Sequence, residues 1–156
     1  VALVLYINEF ADYNADRRTG KATLVVRLGR QRAAAFYPVL ASLPFLAVVA
    51  LVATGVSPLP SLAALAGIPL VVNAALIVHH HFGEPFELAP ANALTAIAHL
   101  SVGLLFALGY AWDELGRDGL PVAVALGVVG VGYMVYMYRS VERQRRIFAG
   151  VKTALR

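Results

Sequence analysis

The chain has 156 residues, of which 60% are hydrophobic and 14% charged, with no cysteine and a net charge of +4. Soluble domains run at about 45–50% apolar and about 25% charged, so a single water-soluble core is excluded. The missing cysteines exclude disulfides, thiolate catalysis and Cys-ligated metal sites.

In chain order, Val1 to Ile7 are apolar and read as the end of a longer helix. No initiator Met and no charged stretch precede them, so the sequence shows no signal peptide and reads as a fragment. The helix is predicted to continue to about Arg18. That places Asn8, Asp12 and Asp16 at i, i+4 and i+8 on one face, with Glu9 joining them. Carboxylates on one helical strip repel each other by a few tenths of a kcal/mol per pair in water, and by more at a membrane interface. Something positive is therefore expected opposite them. Mg²⁺ suits the position, being a hard cation usually held by one or two carboxylates plus substrate phosphates. Gly20 is placed to end the helix in a left-handed cap. Beyond it Lys21 and Arg27, with Arg17 and Arg18 upstream, are candidate donors to diphosphate oxygens. The same spacing also reads as a solvated helix end, with Asp12 and Asp16 paired to Arg17, Arg18 and Lys21. A bare D-x-x-x-D weighs these two readings equally.

Residues 33–83 then carry no formal charge, and no Lys or Arg lies between Arg32 and Arg117. A crossing helix needs about 20 apolar residues. Four segments qualify, at 33–54, 59–78, 91–112 and 120–138, which predicts an all-α, polytopic transmembrane helix bundle. Pro38, Pro44 and Pro69 predict kinks in the first two. His79, His80 and His81 fall in the 79–90 loop near Glu84 and Glu87. Three consecutive residues cannot all face one ion, so a polar span end is the favoured reading over a metal site. Asn92, Thr95 and His99 share a face inside the third span. They serve interhelical hydrogen bonding or, at His99, the lining of an acceptor cavity. Asn73 is a lone polar group and carries no functional reading. Ala123, Gly127 and Gly130 are expected to let helices approach closely. The tail 139–156 suits an amphipathic helix on an anionic leaflet.

Every Lys and Arg except Arg117 lies in the block 17–32 or the block 139–156, each abutting an apolar segment. That is a juxtamembrane pattern and disfavours nucleic acid as a partner. If both blocks are cytoplasmic the number of crossings is even, as four spans require, and the loops 55–60 and 113–119 lie outside. The prediction is a multi-pass protein of the cell membrane with the motif loop and the C-terminus in the cytoplasm.

Asn8-Glu9-Phe10-Ala11-Asp12-x-x-x-Asp16, followed by Gly20-Lys21-Ala22-Thr23-Leu24-Val25-Val26-Arg27-Leu28-Gly29, resembles the second aspartate-rich motif of the UbiA superfamily of intramembrane prenyltransferases. The continuation from Gly20 is most similar to the branch of 1,4-dihydroxy-2-naphthoate polyprenyltransferases, the membrane step of menaquinone synthesis. The resemblance implies a helical bundle open to lipid, in which two aspartate-rich motifs hold Mg²⁺ and a polyprenyl diphosphate for transfer to an aromatic acceptor. It carries Asp12 and Asp16 over as the catalytic Mg²⁺–diphosphate ligands, with Glu9 as a neighbouring metal ligand. Asn8, Lys21 and Arg27 become diphosphate contacts.

Two features depart from the family. Its first motif, N-D-x-x-D-x-x-x-D, is absent, and the family usually has three spans after the second motif where four are predicted here. The chain 1–156 therefore reads as the C-terminal part of one such domain, with a motif region at 8–29 and a basic tail at 139–156. Alone it is expected to be inactive. The alternative is a non-catalytic membrane module or transporter fragment, in which 8–27 is only an interfacial anchor.

Overall fold

The computed structural model describes residues 1–116, together with positions 124, 125, 128–130, 132, 133, 135, 136, 139 and 143. The predicted fourth span at 120–138 and the tail at 139–156 lie for the most part outside the described residues, as do Ala123 and Gly127. Among the described residues there are helices and connections only: α1 (Ala2–Arg18), α2 (Leu24–Leu28), α3 (Arg30–Ala53), a 3₁₀ segment (Leu59–Gly67), α4 (Ile68–His81) and α5 (Ala89–Leu115).

α1 ends as its sequence predicts. Gly20 takes φ +74°, its N–H donates to Arg17 O, and the Lys21 N–H donates to Asp16 O at 2.9 Å. Those two bonds form a Schellman motif, which only a residue free to adopt positive φ closes without strain. The chain thus reverses within three residues and delivers α2 back alongside α1.

Among the described residues three stretches are long and apolar enough to cross a membrane: Arg30–Ala53, Leu59–His81 and Ala89–Glu114. They coincide with the first three predicted spans, and the chain is an integral membrane protein by that measure. The second is not one continuous α-helix. Pro69 has no N–H to give the Leu65 carbonyl, and its ring crowds that position. The backbone runs as a 3₁₀ helix to Gly67 and becomes α-helical only at Ile68, where the N–H bonds Leu65 O. Pro38 and Pro44 lie inside α3 as predicted. His79, His80 and His81, expected in a loop, instead form the last turn of α4. Histidine is compatible with a helix, and positive character is welcome at its C-terminal end.

The buried face of α3 is Ala33, Ala34, Tyr37, Ala41, Phe45 and Val48, at helical spacing. Phe36, Val39, Leu43, Leu46 and Val49 on the other faces are exposed. An apolar surface of that extent is stable in lipid and not in water. The interior relies on small residues, with Ala33, Ala74 and Ala91 fully enclosed, and helices in lipid pack in this way.

Polar groups inside the bundle pair across helices. Tyr6 Oη donates to Ala33 O at 2.8 Å, joining α1 to α3. Thr95 Oγ1 donates to Ala91 O at 2.7 Å, so the 2.6 Å contact between Tyr37 and Thr95 has Tyr37 as its donor. The interhelical reading of Thr95 is thus what the structure shows. The donor order makes the pair unequal. Tyr37→Phe removes one bond and should cost about 0.6 kcal/mol. Thr95→Val strands a buried hydroxyl and should cost about 1–3 kcal/mol. Thermal unfolding in one detergent should rank Thr95→Val as the less stable variant.

Candidate functional site

The motif helix α1 lies between two others. On one side Glu9 Oε2 accepts the Val25 N–H at 3.0 Å, and Thr23 Oγ1 accepts the Val26 N–H. Together they cap two of the open N–H groups at the start of α2. On the other side the Asn92 side-chain amide donates to Asn8 Oδ1 at 2.9 Å, and the His99 ring lies 3.4 Å from Val1 N. The equal seven-residue steps from Val1 to Asn8 and from Asn92 to His99 fix α1 and α5 as antiparallel neighbours. Asn8 is therefore one turn below Asp12, held by α5.

The two motif aspartates differ in surroundings. Asp12 is exposed and has no hydrogen bond or ion pair among the described residues. Asp16 is only 7% exposed. Its Oδ1 lies 3.3 Å from Lys21 Nζ, while its Oδ2 is buried with no partner. The Lys21 ammonium is mostly in solvent, so that pair contributes at most about 1 kcal/mol. A buried carboxylate oxygen without a donor is costly, and it marks a position where a cation or a donor fits.

The other predicted residues are more scattered. Arg27 is exposed, and its Nε donates to Ala22 O at 3.0 Å. Arg18 Nε donates to Asn14 O at 3.2 Å. His99 is exposed on α5 and not enclosed in a cavity. His79 and His80 stack edge-to-face at 5.2 Å, and His81 lies 3.9 Å from Glu84. Among the described residues no group of three or more His, Asp or Glu side chains is arranged to hold a metal ion. Glu9 is thus brought to the start of α2 and not into a three-carboxylate cluster with Asp12 and Asp16. Replacing Glu9 by Ala should loosen α2 from α1 at a cost of about 1–3 kcal/mol, while Glu9→Gln keeps an acceptor and should cost less. Hydrogen exchange at the Val25 amide would show the difference.

Arg30 was not singled out by its sequence. It opens α3, and its guanidinium carbon lies 4.6 Å from the centre of the Tyr13 ring, one turn before Asp16 on α1. The signal available was its position: a cation in the first turn of a helix whose first turn holds no acidic residue works against the macrodipole.

Comparison with known proteins fits this geometry. Over 107 residues, 68% of the chain, the sequence is 36% identical to a curated relative from Haemophilus influenzae, 1,4-dihydroxy-2-naphthoate octaprenyltransferase. That supports a UbiA-family prenyltransferase, over part of the chain. The alignment covers 34% of the relative, so the chain spans about a third of the length of that protein. No family model matches the chain, and no solved structure does. Among the described residues the chain is a helical bundle with three stretches apolar and long enough to cross a membrane.

Proposed function

We propose that this chain carries the second metal–diphosphate motif of a Mg²⁺-dependent prenyltransferase. It would transfer a polyprenyl group from its diphosphate to an aromatic acceptor, with 1,4-dihydroxy-2-naphthoate as that acceptor. The observation that carries the proposal is exposed Asp12 one turn from buried Asp16, whose Oδ2 has no partner among the described residues. Two carboxylates one turn apart match the usual demand of Mg²⁺, which takes the rest of its oxygens from phosphates and water. When bound, the ion neutralises the leaving diphosphate and so favours ionisation of the allylic C–O bond.

The chain's own residues have the following roles in this reading. Asp12 and Asp16 hold the metal side of the substrate. Lys21, tethered to Asp16 Oδ1, offers its remaining N–H donors to a phosphate oxygen. Arg27 supplies a second cation from α2. The C–O bond breaks with its electron pair leaving on the diphosphate. The allylic carbon then bonds to a ring carbon of the acceptor, which loses its proton. Asn8, hydrogen-bonded to Asn92 one turn before Asp12, is a further candidate contact for the diphosphate. In this reading the basic block 17–32 and the tail 139–156 both face the cytoplasm.

The test is transfer of labelled prenyl diphosphate to 1,4-dihydroxy-2-naphthoate by the full-length protein in lipid nanodiscs, with and without Mg²⁺. Mg²⁺-dependent product is the expected result. Absence of transfer with any aromatic acceptor would favour the non-catalytic membrane module.

A further inference from the structure

Among the described residues Arg30 is left unsatisfied. Nε and Nη2 of its guanidinium are both buried and have no hydrogen-bond partner. Its guanidinium carbon lies 4.6 Å from the centre of the Tyr13 ring, and among the described residues no ion pair joins it to Asp16. Burying a guanidinium with open donors is strongly unfavourable unless something completes it. The two open nitrogens also lie along one edge of the planar group, as a two-pronged fork. That edge matches two oxygens of a phosphate or carboxylate, and no single water can fill it in the same way.

Three surrounding features favour an anion there. Arg30 is the first residue of the 24-residue α3, whose N-terminus has no side-chain cap and no acidic residue in its first turn. The positive end of that helix therefore adds to the guanidinium. Tyr13 holds the guanidinium in place through its ring face, so the fork is oriented before any ligand arrives. Tyr13 and Asp16 are three residues apart on α1, which makes them neighbours on one helical face. The open fork of Arg30 thus reaches α1 one turn before Asp16, whose carboxylate also has an open oxygen. A ligand that carries a cation on one side and phosphate oxygens on the other satisfies both.

We propose that Arg30 binds the diphosphate of the substrate through Nε and Nη2, oriented by Tyr13, while Asp12 and Asp16 take its metal. This rests on the reading of the site given above and adds to it a phosphate-binding residue outside the aspartate motif and the Lys21–Arg27 loop. It also gives the motif a third wall, from α3, which orients the diphosphate relative to the bundle.

The test uses the full-length protein in nanodiscs of zwitterionic phosphatidylcholine, with inorganic pyrophosphate and Mg²⁺ as the probe. Binding is read by calorimetry and by the shift in melting temperature. Arg30→Met should leave the melting temperature of the free protein unchanged or raise it, because it removes two buried guanidinium nitrogens that have no partner among the described residues. It should weaken pyrophosphate about 10- to 100-fold, the range expected for losing a bidentate charged contact. Arg30→Lys keeps the charge and loses the fork, and should weaken binding at least about tenfold. Should Arg30→Met fail to fold, Arg30→Lys decides alone. A free protein destabilised by Arg30→Met with unchanged pyrophosphate affinity would make Arg30 a structural tie to Tyr13 and overturn the proposal. Wild-type affinity in Arg30→Lys would overturn it as well. If Asp16→Asn abolishes binding while the Arg30 variants bind normally, the site stands and Arg30 is excluded from it. If the wild type does not bind pyrophosphate with Mg²⁺, both readings fall together.

Discussion

Asp16→Asn in the full-length protein is expected to lower prenyl transfer by two or more orders of magnitude while leaving the protein folded. Asp12→Asn should behave in the same way. The magnitude follows from losing a charged metal ligand at a leaving diphosphate, where one preorganised electrostatic contact is worth about 10²–10³ in rate. The fold should survive for reasons specific to each residue. Asp12 is exposed and has no hydrogen bond or ion pair among the described residues that its amide would break. Asp16 has one ion pair, to a Lys21 whose side chain is mostly in solvent, and one buried oxygen with no partner. Replacing that oxygen's charge by a neutral amide removes a desolvation cost at about the same time as it removes a weak pair. The measurement is a pair of curves on each variant, thermal unfolding and rate against Mg²⁺ concentration. A large loss of rate with a melting temperature within a few degrees of wild type is the expected outcome. Loss of rate in step with loss of fold would make the strip structural, and an unchanged rate would remove it from the chemistry.

Much of this site is legible in the sequence because it is local. The i, i+4, i+8 spacing of Asn8, Asp12 and Asp16 defines a helical strip, and Gly20 defines where the helix must end. Both features appear in the structure within a residue of their expected place. The first three spans are equally legible, since a long charge-free stretch has few alternatives to lipid. What the sequence does not contain is the difference between neighbours that look alike. Asp12 and Asp16 are equivalent in spacing, yet Asp16 is buried and Asp12 exposed. Glu9 belongs to the carboxylate strip by spacing, but its oxygen caps a helix 16 residues further on. That bond depends on α2 being a short helix that starts beside α1, which no periodicity over five residues can reveal. Arg30 reads as one more juxtamembrane cation, and only the return of α3 past Tyr13 makes it distinctive. Pro69 was readable as a disruption, though not as a change from 3₁₀ to α-helix. The polarity of the histidine triplet suggests a loop, whereas the three residues extend the helix by its last turn.

The second large effect is predicted far from the motif, at a glycine that spacing alone does not single out. α5 contains Gly103 and Gly109, and a β-carbon on each meets opposite surroundings. At Gly103 it would meet nothing within 4 Å. At Gly109 it would run into the backbone of Pro60 and Ser61, where α5 crosses the 3₁₀ segment. Backbone cannot rotate aside as a side chain does, so the two helices must separate along their whole contact. Gly109→Ala should therefore destabilise the protein by about 1–3 kcal/mol, and Gly109→Leu by more. Gly103→Ala should be neutral or stabilise by about 0.5–1 kcal/mol, because alanine is the better helix former. Opposite signs at two glycines of one helix separate close packing from helix propensity. The separation also bears on why the second span begins as a 3₁₀ helix. Its narrower backbone presents Pro60 and Ser61 to Gly109, with Ser61 bonded to Ser57 at 3.0 Å inside the contact. Thermal unfolding of the three variants in the same detergent would measure the difference. Equal melting temperatures for Gly103→Ala and Gly109→Ala would mean that α5 and the 3₁₀ segment do not meet at Gly109.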